Sequence, residues 1–428
     1  MRTALGPVLV WVLVWVMSAG EAAAADWSQW RGPARDGVAD ASGLPEKWPT
    51  ALGRSWSKQV GVGHSSPVVQ SGRVYQMSRE GDREVVRGFD LGTGRELWKS
   101  GYRAPYKVNS AARDHGPGPK ATPAVSGNRL VTFGISGILS CWDTSSGARV
   151  WSHEFSRQHK TTSPLYGHAA SPIIVKGRVI VHVGGHDDGA LCGFDLASGK
   201  VVWRWAKDGP SYTSPVMVKL GGKPHLVAQS QKFHLGVDPA TGRILWRVPF
   251  TTQYDQNSIT PLVAGGRLIL GGYNQPTVAL KVTARGNRFR TEGAWQNREI
   301  SMYMSSPVLV GGKVFGLSHR RRGQLFCVDP ATGKLAWVTR GRLAENAAIV
   351  AAGGVLLVLT TGGELLVVAA EGGGYRELAK YRVSESATWA HPALVGSKLL
   401  VKDRDALLVF DLKGRASPRA RVRTGTGF

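Results

Sequence analysis

One eleven-residue frame recurs along the chain and constrains the fold more than any other feature. Residues 236–246 read GVDPATGRILW and residues 327–337 read CVDPATGKLAW. The same frame is present at 88–98 (GFDLGTGRELW), 141–151 (CWDTSSGARVW) and 193–203 (GFDLASGKVVW). Each copy carries an Asp, a Ser or Thr, a Gly and a closing Trp at the same spacing. The chain is therefore a series of similar units.

A second marker, a small or polar residue followed by Pro and an apolar run, precedes each frame and also continues through the regions without one. The marker positions are Pro67, Pro123, Pro172, Pro215, Pro261, Pro307 and Pro392, and Ala348 stands where one further Pro is expected. They lie about 46 residues apart, a period typical of propeller blades. Each unit reads as four short strands joined by Gly-rich turns. The pattern predicts an all-β, eight-bladed β-propeller with four-stranded antiparallel blades, and seven blades is the alternative.

The frame has a physical role in such a blade. Its Asp accepts hydrogen bonds from backbone amides, and its Gly adopts the left-handed conformation that closes the turn. Its Trp buries about 150–250 Å² of ring, which we expect to dock on the neighbouring blade. The predicted docking residues are Trp98, Trp151, Trp203, Trp246, Trp295 and Trp337.

Three units depart from the frame. The fifth has Lys281 about where Asp is expected and a long insert before Trp295, and the seventh has Tyr381 in place of Trp. The eighth ends without a fourth strand. We predict that residues 53–60, a lone Trp-bearing strand, supply it and close the ring. The propeller would then cover 53–416, between an N-terminal extension (26–52) and a basic tail (417–428).

The first 25 residues predict an export signal. Arg2 precedes an apolar run that is short for a membrane span, and Ala23 and Ala25 are placed for cleavage before Asp26. No Cys near that point suggests a lipid anchor. We expect a soluble periplasmic or secreted protein.

The number of cysteines and the net charge indicate less about the function of the chain. The chain has three cysteines, Cys141, Cys192 and Cys327. We interpret them as small buried residues because an odd number cannot pair fully. Lys and Arg outnumber Asp and Glu by 54 to 30, a formal charge of +24, which attracts polyanions in general. Since the basic residues are scattered, we expect no specific nucleic-acid partner, and we expect a monomer.

The frame x-x-D-x-x-T/S-G-K/R-x-x-W is similar to the tryptophan-docking motif of the pyrroloquinoline-quinone (PQQ) type propellers, which include the quinoprotein alcohol dehydrogenases and the outer-membrane assembly factor BamB. Residues 27–49, WSQWRGPARDGVADASGLPEKWP, look like the lead-in of exported bacterial proteins of this kind. The resemblance covers nearly the whole chain after residue 25. It indicates the fold, whereas propellers carry many unrelated activities.

For an active quinoprotein the resemblance implies an adjacent Cys-Cys pair over the quinone, a Trp beneath it, and Glu, Asn and Asp holding calcium. No two cysteines are adjacent in this chain. The compact acidic segment GGHDDGA (184–190) reads as a solvated turn between strands rather than a metal site. We therefore expect no cofactor and no metal, with PQQ and Ca²⁺ as the alternative. A BamB-like scaffold has a lipoprotein Cys that is missing here, and the sequence identifies no protein partner.

The segments before the first strand of each blade emerge on one face around the central channel, where ligands commonly bind. The residues that we expect to ring this opening are His64, His115, His168, Tyr212, Asn257, Tyr303, Asn346, Trp389 and His391. Alternatively, such residues hydrogen-bond neighbouring blades. We predict a non-catalytic binding or scaffolding module of the cell envelope with an anionic or saccharide ligand or a protein partner at this funnel. The alternative is a PQQ-dependent alcohol or sugar dehydrogenase. No nucleophile-and-base arrangement for hydrolysis can be assigned.

Overall fold

The strands form eight separate four-stranded antiparallel sheets arranged in a ring, which confirms the predicted eight-bladed propeller. The computed structural model describes residues 26–414. The export signal predicted at 1–25 and the basic tail predicted at 417–428 therefore lie outside the described residues. No helix in 26–414 has the length and apolar character needed to cross a membrane.

The strands fall into four classes by their place in the blade. The first strands, next to the channel, are β2 (Val68–Gln70), β6 (Ala124–Ser126), β10 (Ile173–Val175), β14 (Val216–Leu220), β18 (Leu262–Ala264), β22 (Val308–Val310), β26 (Ala347–Ala352) and β30 (Ala393–Val395). The second strands are β3 (Arg73–Glu80), β7 (Arg129–Phe133), β11 (Arg178–Gly185), β15 (Lys223–Gln229), β19 (Arg267–Leu270), β23 (Lys313–Ser318), β27 (Val355–Thr360) and β31 (Lys398–Lys402).

The third strands are β4 (Arg83–Asp90), β8 (Leu139–Asp143), β12 (Asp188–Asp195), β16 (Phe233–Val237), β20 (Thr277–Arg285), β24 (Gln324–Val328), β28 (Glu364–Ala369) and β32 (Ala406–Asp411). The outer strands are β5 (Glu96–Arg103), β9 (Arg149–His153), β13 (Val201–Trp205), β17 (Ile244–Pro249), β21 (Arg288–Asn297), β25 (Leu335–Val338), β29 (Glu377–Arg382) and β1 (Gly53–Gln59). Single 3₁₀ turns cover Ser110–His115, Gln253–Asp255 and Arg320–Arg322.

The hydrophobic core lies between blades. The second and third strands are buried on both faces, as in β27 and β28, because each blade is covered by its two neighbours. One cluster joins Val131 and Phe133 of the second blade to Val181 and Phe194 of the third. Strands of this kind are continuous apolar runs instead of alternating ones, as expected for sheets covered on both sides.

The recurring frame forms a tight turn that receives the tryptophan of the preceding blade. In the first blade Thr93 donates its backbone N–H to Asp90 Oδ1 (2.8 Å). Trp98 of that blade donates its Nε1–H to the carbonyl of Thr144, the residue after the frame Asp of the second blade (3.0 Å). The other equivalent bonds run from Trp56 to Leu91, Trp151 to Leu196, Trp203 to Pro239, Trp295 to Pro330 and Trp337 to Glu371. Each bond links two consecutive blades.

The fifth blade departs because it has no frame turn to receive Trp246. The Nε1–H of Trp246 instead donates to Nδ1 of His225 in its own sheet (3.1 Å). A long β20–β21 hairpin occupies the place of the turn and packs Val282 and Phe289 in the same cluster as Trp246. The insert therefore replaces the missing turn as the contact between the fourth and fifth blades.

The ring closes through the N-terminal strand, as predicted. β1 pairs antiparallel with β32, with Ser57 opposite Leu408. The last blade is thus built from both ends of the described chain. Tyr381, which stands in place of Trp in the seventh blade, donates its hydroxyl to the carbonyl of Pro49 (2.7 Å).

The segment before β1 crosses the central channel. Trp27 pairs with Val69 of the first blade, and Ala39 donates its N–H to the carbonyl of Ala351 in the seventh (2.8 Å). Between them, the fully buried guanidinium of Arg35 donates to the carbonyls of Ser171 (3.0 Å) and Pro172 (2.9 Å) in the third blade. This segment therefore connects opposite sides of the ring.

Candidate functional site

A cavity of about 250 Å³ lies at the channel mouth, where the loops before the first strands converge. Five of the predicted funnel residues line it: His64, His115, Tyr212, Tyr303 and Trp389. They come from five different blades. Only the ring geometry brings them together, since they are far apart in sequence.

The other four predicted residues lie elsewhere. Asn346 and His391 line a smaller neighbouring cavity of about 40 Å³. His168 is fully buried, with its Nε2 bonded to the carbonyl of Thr162 (2.7 Å). Asn257 is also fully buried and donates its side-chain amide to the carbonyl of Gln231 in the preceding blade (2.9 Å). The structure therefore places His168 and Asn257 in contacts that hold the loops, away from the wall of the central cavity.

The lining residues that the sequence analysis did not name include Trp30, Lys120 and Tyr166. Trp30 belongs to the segment that crosses the channel, and it is held by a bond from its Nε1–H to Thr260 Oγ1 (2.9 Å). It was overlooked because that segment was interpreted only as a lead-in. Lys120 had a recognisable signal, since it lies three residues before the marker Pro123 and no other Lys is so close before a marker position.

The cavity wall is largely aromatic. The rings of His115 and Trp389 meet edge to face with centroids 4.8 Å apart. Tyr166 and Tyr212 meet in the same way at 5.6 Å. Such edge-to-face contacts fix the ring positions, because the positive edge of one ring meets the negative face of the other. The wall thus offers a ligand aromatic rings whose positions are already fixed.

Burial controls the charge of the cavity. It lowers the pKa of His64 to about 3, with smaller contributions from His115 and Lys120, and it lowers the pKa of His115 as well. Both imidazoles are therefore neutral near pH 7. Burial also lowers the pKa of Lys120 to about 8, so that its ammonium group persists at pH 7. Its Nζ donates to the carbonyl of Tyr166.

No carboxylate is among the described residues that line the cavity, and Lys120 is the one formally charged side chain there. Calcium prefers several converging oxygen ligands with negative charge. The three cysteines are buried on different blades, so they offer no adjacent pair over a quinone. The lining residues therefore do not fit PQQ with Ca²⁺ in the manner that the resemblance implied.

The acidic segment 184–190 forms the tight connection between β11 and β12. Asp188 accepts a hydrogen bond from Nδ1 of His159 (2.9 Å) and another from the backbone of Lys160 (2.6 Å). Asp187 pairs with Lys232 (3.1 Å). Within residues 26–414 there is no group of three or more His, Cys, Asp or Glu side chains placed to hold a metal ion. These carboxylates instead fasten neighbouring loops.

Eight blades joined by tryptophan docking, with an aromatic cavity on the axis, define a propeller of the PQQ type. Comparison with known families agrees with this class. A family model described as "Outer membrane protein assembly factor BamB" matches residues 82–339, more than half of the chain. The chain belongs to this family.

Curated relatives fall into two groups. The chain is 25% identical over 279 residues to quinohemoprotein alcohol dehydrogenase ADH IIB of Pseudomonas putida, an alignment that covers 64% of the chain and 33% of the relative. It is 22% identical over 251 residues to the outer membrane protein assembly factor BamB of Shewanella oneidensis, with 53% and 58% covered. The chain spans less than two thirds of the length of the curated relatives that it matches.

Solved structures show the same fold. BamB from Moraxella catarrhalis superposes with a TM-score of 0.60 at 16% identity, covering 84% of this chain and 100% of that one. Quinohemoprotein alcohol dehydrogenase from Comamonas testosteroni superposes with a TM-score of 0.67 at 14% identity, covering 94% and 83%. At such identities the likeness extends to the fold alone.

Proposed function

We propose that this protein is a non-catalytic binding module of the cell envelope that takes an anionic sugar in its central cavity. The composition of the cavity wall carries the proposal: indole and phenol rings surround the single ammonium group of Lys120. Aromatic rings pack against the apolar faces of sugars, and an ammonium pairs with a carboxylate. A volume of about 250 Å³ is slightly below the usual range of about 300–1,000 Å³ for small-molecule sites, so we expect a short ligand.

The cell-envelope location is supported by the relatives. Those called BamB are named for outer-membrane protein assembly, and a role beside such machinery would combine ligand binding with scaffolding. The export signal predicted at 1–25 fits this location but lies outside the described residues.

Calorimetric titration with digalacturonate tests the proposal. We expect binding that weakens at least about tenfold in Tyr303→Ala, because the cavity loses one of its ring surfaces. Tyr254→Ala is the matched control, since Tyr254 is 63% exposed and does not line the cavity. Absence of binding, or equal losses in the two variants, would refute a sugar site in the cavity.

A PQQ-dependent dehydrogenase is the second candidate, because quinohemoprotein alcohol dehydrogenases are among the relatives. The purified protein mixed with PQQ and Ca²⁺ would then show a bound chromophore and dye-linked oxidation of an alcohol. We expect neither, since no carboxylate or adjacent cysteine pair is present among the described residues that line the cavity. Turnover in this assay would replace the binding proposal with the enzyme.

A further inference from the structure

A second cavity, of about 490 Å³, lies on the opposite face of the propeller. In an antiparallel blade, the turns after the first and third strands are at one end, and the loops before the first strand are at the other. The second cavity is bounded by turns that follow first and third strands in the third and fourth blades. The β20–β21 hairpin of the fifth blade completes its wall. We call it the turn-face groove; its lining residues include Lys176, Arg178, Met217, Lys223, Arg243 and Phe289.

The long hairpin of the fifth blade forms one wall of this groove. Lys223 of the fourth blade donates its ammonium N–H groups to the carbonyl of Gly286 (2.9 Å) and to Oδ1 of Asn287 (3.1 Å) at the hairpin tip. Phe289 packs edge to face on the ring of His225, with centroids 4.6 Å apart. These contacts hold the hairpin beside the fourth blade, so the groove is a built feature of the fold.

The floor of the groove is apolar. Met217, Leu245 and Phe289 line it and remain half-buried, with part of each side chain accessible from the groove. Burying such a surface stabilises a complex by about 25 cal/mol per Å². We therefore expect a ligand of this groove to place an apolar side chain on the floor.

The rim of the groove is cationic. Four basic residues surround the floor, namely Lys176, Arg178, Lys223 and Arg243. Asp238 is the one acidic residue among the described residues that line the groove. None of the four lies within ion-pair distance of a carboxylate among residues 26–414. Lys176, Arg178 and Arg243 are therefore left to pair with a ligand, whereas Lys223 is already engaged at the hairpin tip.

The basic residue that begins the second strand is ion-paired in some blades and not in others: Arg73, opposite Asp90, and Lys398, opposite Asp411, form no ion pair within residues 26–414. At the same position of their blades, Arg129 pairs with Asp143 (3.6 Å) and Lys313 pairs with Asp329 (2.9 Å). Arg178 is directly opposite Asp195 in its strand pair yet forms no ion pair with it, and it lines the groove. An unpaired guanidinium beside an apolar floor is typical of sites that receive a carboxylate.

We infer that the turn-face groove binds an acidic peptide segment with an apolar anchor residue. Several carboxylates would match the cationic rim, and the anchor would cover Met217, Leu245 and Phe289. A polyuronate supplies the charges but has no apolar side chain for the floor. A membrane surface is disfavoured because it requires a protruding apolar surface, and this one is concave. The site is separate from the central cavity and independent of its proposed function.

Fluorescence anisotropy tests this inference with a labelled octapeptide of alternating Asp and Glu around one central Leu. We expect Arg243→Glu to weaken binding about tenfold or more, because it places a like charge beside the peptide carboxylates. Lys334→Glu is the matched control: Lys334 has the same frame position in the sixth blade, is also exposed, and lies outside the groove. It changes the net charge by the same amount and should leave affinity within about twofold.

A changed peptide, the two charge variants and a second ligand test the separate parts of this inference. Replacing the central Leu of the peptide by Gly should weaken binding, and an unchanged affinity would refute the apolar anchor. Equal losses in Arg243→Glu and Lys334→Glu would show attraction to net charge alone and overturn the site. Tight polygalacturonate binding that depends on Arg243 without peptide binding would overturn the ligand class. Tyr303→Ala should not alter peptide binding, which separates this test from that of the central cavity.

Discussion

At the scale of single residues, Lys120 determines how the central cavity responds to pH. Burial lowers its pKa from 10.5 to about 8, whereas the His64 and His115 pKa values are lowered and those of Tyr212 and Tyr303 are raised, all by burial first. Lys120 is therefore the group of the cavity whose charge changes between pH 7 and 9. It becomes neutral as the pH rises through 8, while a sugar carboxylate stays ionised.

We accordingly expect digalacturonate to bind at least about tenfold more weakly at pH 9.5 than at pH 6.5, since pH 9.5 is well above the Lys120 pKa of about 8 and only about 3% of the ammonium remains. Calorimetry at the two pH values measures the difference. Lys120→Met should bind weakly at both pH values. A pH dependence that persists in this variant would assign the effect to another group.

Arg35 is a second residue whose single side chain matters, and its effect is on the stability of the fold. Its side chain is 1% exposed and donates to two carbonyls of the third blade. In Arg35→Met these acceptors lose their donor inside the channel, and we expect a loss of about 1–3 kcal/mol in the free energy of unfolding. Urea unfolding followed by tryptophan fluorescence provides the measurement.

Arg54→Met is the control for Arg35→Met because Arg54 is exposed on β1. It should change the free energy of unfolding by no more than about 0.5 kcal/mol. A similar loss in both variants would mean that the channel contacts of Arg35 contribute nothing specific.

At the scale of elements, the docking of an indole on the next turn is the repeated contact. Gly242 has φ +73°, and a Cβ there would lie 2.4 Å from Cε3 of Trp203. Gly266 has nearly the same φ, +70°, with open space around that position. The two glycines therefore separate backbone strain from displacement of the indole.

We expect Gly266→Ala to cost about 1 kcal/mol of stability, from backbone strain alone. Gly242→Ala should cost about 2 kcal/mol more, because the added methyl group must push the Trp203 ring out of its packed position. The comparison is made by urea unfolding with both variants under the same conditions. Equal costs would contradict a stabilising role of the docked ring.

At the scale of the whole molecule, the ring depends on the pairing of its first strand, β1, with its last strand, β32. β1 completes the last blade against β32, and the segment before it connects opposite blades through the channel. A protein starting at residue 53 retains β1, whereas one starting at residue 60 exposes the edge of β32. An unpaired strand edge is a template for association with another chain.

We therefore expect the form starting at residue 53 to be monomeric with a lower Tm than the full chain, since it loses the contacts of Arg35 and Trp30 across the channel. The form starting at residue 60 should associate or aggregate. Size-exclusion chromatography and thermal unfolding distinguish the two. A monomeric, fully stable form without β1 would show that ring closure does not need this strand.

Part of the candidate site was predictable because it follows from the repeat. The loops before the first strands share one face in any propeller, so His64, His115, Tyr212, Tyr303 and Trp389 could be assigned to the channel mouth. The same rule also selected His168 and Asn257, which are buried in loop contacts. Equivalent backbone positions do not determine which way a side chain turns, since that depends on the space left by neighbouring blades.

The sequence by itself determined the all-β class, the number of blades and the closing strand. These follow from local rules, because a turn of Asp, Thr and Gly and the following Trp form the same contacts wherever the next blade offers a turn to receive the Trp, as it does for every frame but that of Trp246. Only the tertiary structure decided that Trp30 enters the central cavity, that the β20–β21 hairpin shapes the turn-face groove, and that Arg178 stays unpaired. Such features depend on contacts between segments far apart in the chain, and no local pattern encodes the curvature that brings them together.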